Sequence, residues 1–485
     1  MNDRIKKAVA ALLCLTVLAG PARADSTLNL NLPDIGDASG GTISPQEERR
    51  LGEMFMREVR QSLTIVDDPE INEYIQALGY RLASNSENQS QDFTFFLIQD
   101  PAINAFAAPG GFIGINTGTI LASESESELA SVIAHEIAHV TQRHLARAFE
   151  KANKLSLPTA AAMIAAIIIG TRNSQAGQAA MAATQASSAQ AQINFTRANE
   201  EEADRVGMQT LARSEFDPRS MPSFFERLQQ AIRFYGPTLP EYLSTHPVTE
   251  TRIADTRNRA EQYPPRQIKD SLTYHLVRAK LRVLGEPNPK RSVKHFAEAL
   301  KSGQYRNAQA ERYGYVLALL GNGEYDLARA QVRDLLAQDK ENPAYQIALA
   351  RVEMAAGHAD KALAIYNDAL KLYPGNNPLT VLYSDALLQT GQARKARDVL
   401  EKHIRQRNPD PGLYKLLAEA EAQAGHPAAA RKALAEHYYL NGQTDAAIEQ
   451  LTQALKLQDG DFYLASQIED RLRQLKEEKV LETKR

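Results

Sequence analysis

Gly323, Gly357, Gly391 and Gly425 stand 34 residues apart, and each is followed five residues later by an alanine: Ala328, Ala362, Ala396 and Ala430. A strict interval of this length marks a stacked two-helix unit, in which no unit buries its own apolar face and neighbours supply the cover. Glycine suits the end of a first helix, where the backbone turns left-handed, and alanine lets the second helix pack closely. Pro343, Pro374, Pro378 and Pro409 fall between units. Gly442 and Ala447 continue the pattern after only 17 residues, so the last unit is expected to be irregular or a cap. This part of the chain reads as an α-helical solenoid, which carries no chemistry and presents a face to extended segments or partner proteins.

Chemistry is expected nearer the N-terminus. In His135-Glu136-Ile137-Ala138-His139 the two histidines lie four apart, on one face of a helix, so both imidazoles can reach one ion. Glu136 between them can hold a water beside that ion, the arrangement a zinc peptidase needs. Leu129, Ile133, Ile137 and Val140 recur at helical spacing, and no proline or glycine interrupts the run from Glu124 to Glu150. Ser123-Glu124-Ser125-Glu126 reads as a capping box with Ser123 as N-cap. Further on, 61 residues past His139, Glu200 and Asp204 stand one helical turn apart. One carboxylate can supply a third metal bond, and the other can orient a ligand histidine through its free ring nitrogen. The competing reading is a solvated acidic helix start. Two histidines and a glutamate would leave the fourth position open, as catalysis requires.

The ends and composition narrow the setting. Residues 1–24 read as a signal peptide: Arg4, Lys6 and Lys7, an apolar core from Ala8 to Ala19, and Ala22-Arg23-Ala24 as cleavage site. The single cysteine, Cys14, leaves with it; Leu13 stands where a lipoprotein signal needs a small residue. Cysteine-metal sites, cysteine nucleophiles and disulfides are thereby excluded from the mature chain. Export without an anchor means periplasm or outside. Net charge is −3 and the leader is basic, so the remainder is more acidic still, which argues against a nucleic-acid partner.

Residues 25–43 read as a flexible lead-in. Ser44-Pro45-Gln46-Glu47 starts a helix, and Asp68-Pro69 opens another. Phe93 to Ile98 and Phe112 to Ile115 read as strands; an edge strand beside the histidine helix could bind an extended substrate by backbone pairing. Leu155 to Gly170 is strongly apolar but broken by Pro158 and short of the ~20 residues of a spanning helix. Residues 155–170 are therefore either a buried arm or a peripheral membrane or partner contact, followed by an uncharged tract from Ser174 to Gln192. Pro264-Pro265 is the expected boundary between a mainly α domain with a small β-sheet, 44–264, and the solenoid, 265–485. His275, His295, His358, His403, His426 and His437 lack ligand spacing and read as surface residues.

His135-Glu-x-x-His139 followed by Glu200-x-x-x-Asp204 resembles the metallopeptidase family that includes HtpX and the mitochondrial inner-membrane peptidase Oma. Asn104 to Ile115 resembles the stretch that precedes the zinc helix in that family. Ser244-Thr245-His246-Pro247, with Arg252 after it, resembles its downstream histidine-proline motif. A leader plus C-terminal tetratricopeptide repeats is similar to the family's periplasmic branch. The resemblance implies one Zn2+ per chain on His135, His139 and Glu200, Glu136 as base, and Asp204 as proton donor or behind the ligands. It implies a gluzincin-type zinc metalloendopeptidase in the periplasm that degrades misassembled outer-membrane β-barrel proteins and assists their assembly, with the β-barrel assembly machinery as partner. The alternative, from another class, is a chaperone or scaffold acting through the repeats with little proteolysis; a purely structural metal site would have no use for Glu136. His246, before Pro247, is expected on a turn. It either bonds within the cleft wall or serves as a regulatory fourth zinc ligand that shuts the site. Arg252 is a candidate for stabilising the transition state.

Overall fold

In the computed structural model the described residues are 44–89, 91–147, 164, 197–235, 242, 245–406, 410–457 and 461–483. The leader, the lead-in, the tract from Ser174 to Gln192 and, apart from Ile164, the segment 155–170 lie outside them. Helix α1, Pro45–Ser62, starts as its spacing predicts: the Ser44 hydroxyl accepts from the Glu47 amide at 3.2 Å while the Glu47 carboxylate accepts from the Ser44 amide at 2.9 Å. Helix α2, Pro69–Ala83, is capped by Asp68, which accepts from the amides of Glu70 and Ile71.

Three strands follow: β1 Thr94–Ile98, β2 Ala105–Ala108 and β3 Phe112–Asn116. They form one sheet in the order β1-β3-β2, with β1 parallel and β2 antiparallel to β3. β1 and β3 agree with the aromatic and β-branched runs. β2 was not foreseen, because Ala-Phe-Ala-Ala has little intrinsic strand preference. Its pairing is imposed by the turn after it, where Gly110 and Gly111 take left-handed φ of 70° and 78°.

Helix α3, Thr117–Ala122, leads into α4, Glu126–Thr141, which carries both histidines. Its cap differs from the expectation. Ser125, not Ser123, is the N-cap, accepting from the Glu128 amide at 3.2 Å. Two Ser-x-x-Glu registers overlap here, and Ser123 is already engaged in closing α3, its amide bonded to Thr119 and its hydroxyl to Ile120. Glu126 turns to Tyr74 and Ser271 instead. The far end differs too: the helix stops at Thr141 and Arg143 is left-handed, φ 52°.

Every residue of α4 from Glu126 to Val140 is buried. Leu129, Ile133, Ile137 and Val140 join one core with Ile71, Ile75 and Leu78 of α2 and Phe95, Ile113 and Ile115 of the sheet. Helices α5, Arg197–Arg213, α6, Ser220–Tyr235, and α7, Glu250–Ala260, complete the domain. Ile164 is buried with Leu51 and Phe55 of α1.

The solenoid comprises α8 Leu272–Gly285, α9 Pro289–Ser302, α10 Ala308–Gly321, α11 Tyr325–Gln338, α12 Pro343–Ala355, α13 Ala359–Leu372, α14 Asn377–Gln389, α15 Ala393–Ile404, α16 Pro411–Ala424, α17 Pro427–Leu440, α18 Thr444–Lys456 and α19 Phe462–Thr483. Gly323, Gly357, Gly391, Gly425 and Gly442 are all left-handed at helix ends, with φ from 74° to 89°. Ala328, Ala362, Ala396, Ala430 and Ala447 are all buried in the helices that follow. The half-length interval has a simple cause: α17 is the second helix of the unit that turns at Gly425 and the first of the unit that turns at Gly442, packing on both α16 and α18. Pro264 and Pro265 lie in the non-helical stretch between α7 and α8. Tyr274, Val277 and Leu281 of α8 complete the core around α4, whereas Leu276 and Ala279 begin that of the solenoid.

Both ends of the solenoid touch the first two helices. Lys280, only 3% exposed, pairs with Asp68 at 2.7 Å and also with Glu70, whose other oxygen accepts from Tyr313 at 3.1 Å. At the other end Arg60 donates to the Leu440 carbonyl at 2.8 Å, and Arg57 pairs with Glu478 at 3.1 Å. One surface assignment is corrected: His403 is buried and bonds Asn377 at 2.8 Å, because α15 packs against the start of α14. No described helix is long and apolar enough to cross a membrane.

Candidate metal centre

Helix α5 lies against α4 at closely spaced backbones. Ala138, Ala203 and Val206 form the contact, and a Cβ on Gly207 would meet the Ala134 carbonyl oxygen at 3.0 Å and His135 Cα at 3.1 Å. Both neighbours are helix backbone and cannot yield, so Gly207→Leu is expected to force the helices apart at a cost of ~1–3 kcal/mol. A lowered urea midpoint and weakened metal binding together would check this; an unchanged midpoint would show that α5 shifts freely.

This approach brings Glu200 to the two histidines. His135 Nε2 and His139 Nε2 are 3.0 Å apart, and each is 3.5 Å from one oxygen of Glu200. His246, on the bend before Pro247, completes the group: its Nδ1 is 3.1 Å from Glu200 Oε1 and its Nε2 3.6 Å from Glu136 Oε1. One donor atom from each of His135, His139, Glu200 and His246 lies within 4.8 Å of the others. All four residues are buried, as is Glu136, which the acidic helix start of the competing reading would not be.

The supporting groups are as ordered as the donors. Asp204 Oδ1 is 3.0 Å from His135 Nδ1, and both Asp204 oxygens accept from Arg252, at 2.7 and 2.8 Å. Arg252 also reaches the Pro247 carbonyl at 2.8 Å and Glu200 at 2.9 Å, with its guanidinium over the Phe225 ring. The guanidinium thus holds the carboxylates in place.

Spacing gives no sign of His144, since a continuing helix would carry it away from His139. The left-handed Arg143 folds it back, so that its Nδ1 lies 2.7 Å from His139 Nδ1 and its Nε2 3.1 Å from Glu202 Oε2. Tyr242 was missed as well; fully buried, it stacks on His246 with ring centroids 4.8 Å apart. Neither residue belongs to a spacing pattern that could have announced it.

Electrostatically the cluster is under tension. Burial pushes the Glu136 carboxyl up, and both its oxygens are buried without a hydrogen-bond partner. Burial drives His139 well below the ordinary imidazole value. Burial also opposes charge on His135, but Asp204 and Glu200 outweigh it and raise the imidazole to about 9. Burial opposes charge on Glu200 too, yet His246 and His135 hold it well below the carboxylate range. Four converging donors, neutral imidazole nitrogens among them, with a buried carboxylate alongside, fit a divalent cation bound through nitrogen and oxygen.

Residues 69–260 match the Peptidase family M48 model, and residues 353–420 match a tetratricopeptide-repeat model. The chain is 37% identical over 460 residues to the beta-barrel assembly-enhancing protease of Escherichia coli (strain K12), covering 94% of this chain and 93% of that one. It is 35% identical over 454 residues to the protein of the same name from Yersinia pestis, covering 92% and 93%. The mitochondrial metalloendopeptidase OMA1 of Danio rerio is 29% identical over 203 residues, 41% of this chain and 42% of its own.

Proposed function

The chain belongs to the family of beta-barrel assembly-enhancing proteases and carries a family M48 peptidase domain, and on that premise we propose that it is a periplasmic zinc-dependent endopeptidase of outer-membrane protein quality control. Its substrates are unfolded or misassembled outer-membrane β-barrel proteins, and its partner is the β-barrel assembly machinery. The peptidase domain spans 44–264 and the repeat domain 265–485.

The observation that carries the reading is the convergence of His135, His139 and Glu200 beside the fully buried carboxylate of Glu136. His135, His139 and Glu200 would hold the ion. Zinc, when bound, supplies a Lewis acid that activates water and polarises the scissile carbonyl. Glu136 takes the proton of the attacking water and returns it to the leaving amide nitrogen. Asp204, its Oδ1 3.0 Å from His135 Nδ1, backs that ring with its charge, while Arg252 positions Asp204 and Glu200. β2, an edge strand packed on α4, is the place for an extended substrate segment to pair.

His246 is the regulatory fourth ligand in this reading. Its inclusion in the four-donor group supports the role, since a ligand there would take the place of the reacting water. His246→Ala is expected to raise the initial rate of proteolysis several-fold; an equal or lower rate would assign His246 to the cleft wall. For the function as a whole, the test is cleavage of an unfolded outer-membrane barrel protein, lost with chelator and restored by zinc. If a zinc-loaded protein with His246→Ala cuts nothing but still prevents aggregation of the barrel protein, the chain acts as a chaperone instead.

A further inference from the structure

We propose that His144 and Glu202 form a positioning relay that fixes the His139 ring for metal binding, so that groups outside the ligand set govern metal affinity. The inference rests on the reading that His135, His139 and Glu200 hold the metal. His139 has two distinct sides. Its Nε2 faces His135 and Glu200, at 3.0 and 3.5 Å, whereas its Nδ1 faces His144 Nδ1 at 2.7 Å.

Two ring nitrogens at that distance share one proton, and ligation decides which holds it. A metal on Nε2 needs the lone pair there, so the His139 proton sits on Nδ1. His144 must then accept at Nδ1 and carry its own proton on Nε2, which points at Glu202 Oε2, 3.1 Å away. Glu202 in turn accepts from Arg147 at 2.9 Å. Every proton in the line has an acceptor. The reverse assignment places a proton on His139 Nε2, where the metal would bind, and turns a His144 lone pair toward a carboxylate. Only the first assignment satisfies both ends.

The arrangement is built into the backbone. Continued helix would set residue 144 about 140° round the axis from His139. The left-handed turn at Arg143 overrides this, in a conformation uncommon for a side chain other than glycine. Arg143 is held by Glu48 at 3.4 Å. His144 is fully buried, where an imidazole without partners would be costly. The two ligand histidines are thus supported in the same manner: His135 directly by Asp204, and His139 by Glu202 through one intervening ring.

The test measures the Zn2+ dissociation constant of the whole protein by competition with a chromophoric chelator, and the unfolding midpoint of the metal-free protein. His144→Leu is expected to weaken zinc binding by about 10–100-fold. His144→Asn offers an oxygen where Nδ1 accepts and is expected to recover a large part of that loss. Glu202→Gln, at the partly exposed end of the line, is expected to weaken binding several-fold with the metal-free midpoint unmoved. Wild-type affinity in His144→Leu, or His144→Asn no better than His144→Leu, would overturn the relay. A fall in the midpoint with affinity intact would reduce His144 to packing. His135→Ala in the same assay keeps the two levels apart, because undiminished affinity there would remove the ligand set on which the relay depends.

Discussion

Glu136→Gln is expected to slow cleavage of an unfolded outer-membrane barrel protein by about 10²–10⁴-fold at unchanged zinc content. The amide keeps the shape of a fully buried side chain, so packing and the neighbouring donors are retained, but it cannot take a proton. Initial rates with metal content measured in parallel check this. A variant keeping more than roughly a tenth of the rate would place the base elsewhere, since loss of a general base costs at least ~10²-fold.

The same substitution has a second readout in the metal-free protein. Burial raises the folded-state pKa of Glu136 above its ordinary 4.5, so its contribution to stability is lost as pH rises through the folded value. Glu136→Gln is therefore expected to unfold later than the parent at alkaline pH. The difference should vanish below 4.5, where the carboxyl is protonated in both states. A parent that is the more stable at alkaline pH would mean that the neighbouring histidines outweigh burial at Glu136.

Arg252→Leu carries the largest expected effect on stability. The guanidinium is 1% exposed and binds both oxygens of Asp204 as well as Glu200. Removing it leaves two buried carboxylates without their cation, a change that costs ~3–5 kcal/mol when one partner of a buried pair is lost. Urea denaturation of the metal-free protein is the measurement. Saturating Zn2+ should recover part of the loss, because the ion would neutralise Glu200. Arg252→Lys is expected to rescue little, since an ammonium cannot meet both Asp204 oxygens in the fork geometry. A fall below about 1 kcal/mol would mean that solvent reaches these carboxylates, as for exposed pairs.

Part of the centre was legible as spacing. His135 and His139 share a face because they are four apart, Glu200 and Asp204 for the same reason, and all four are buried where those faces meet. The repeat was legible through one glycine and one alanine per unit, and it survives the half-length step at α17 because one helix serves two units. Less was readable where two local patterns competed. Ser123 and Ser125 offered equal caps, and α3, needing an end of its own, decided between them. β2 has too weak a propensity to declare itself and exists through its partner β3.

By itself the sequence determined which residues share a helix face and which faces are apolar, since these follow from a period of 3.6 residues and need no knowledge of distant chain. Only the tertiary structure decided which faces meet: that Gly207 lets α5 reach α4, that His246 closes on Glu200, and that Arg252 engages carboxylates. His144 lies beyond sequence reading for a further reason. Its place beside His139 depends on a left-handed Arg143, a conformation the surrounding packing imposes against the residue's own preference, and no periodicity records it.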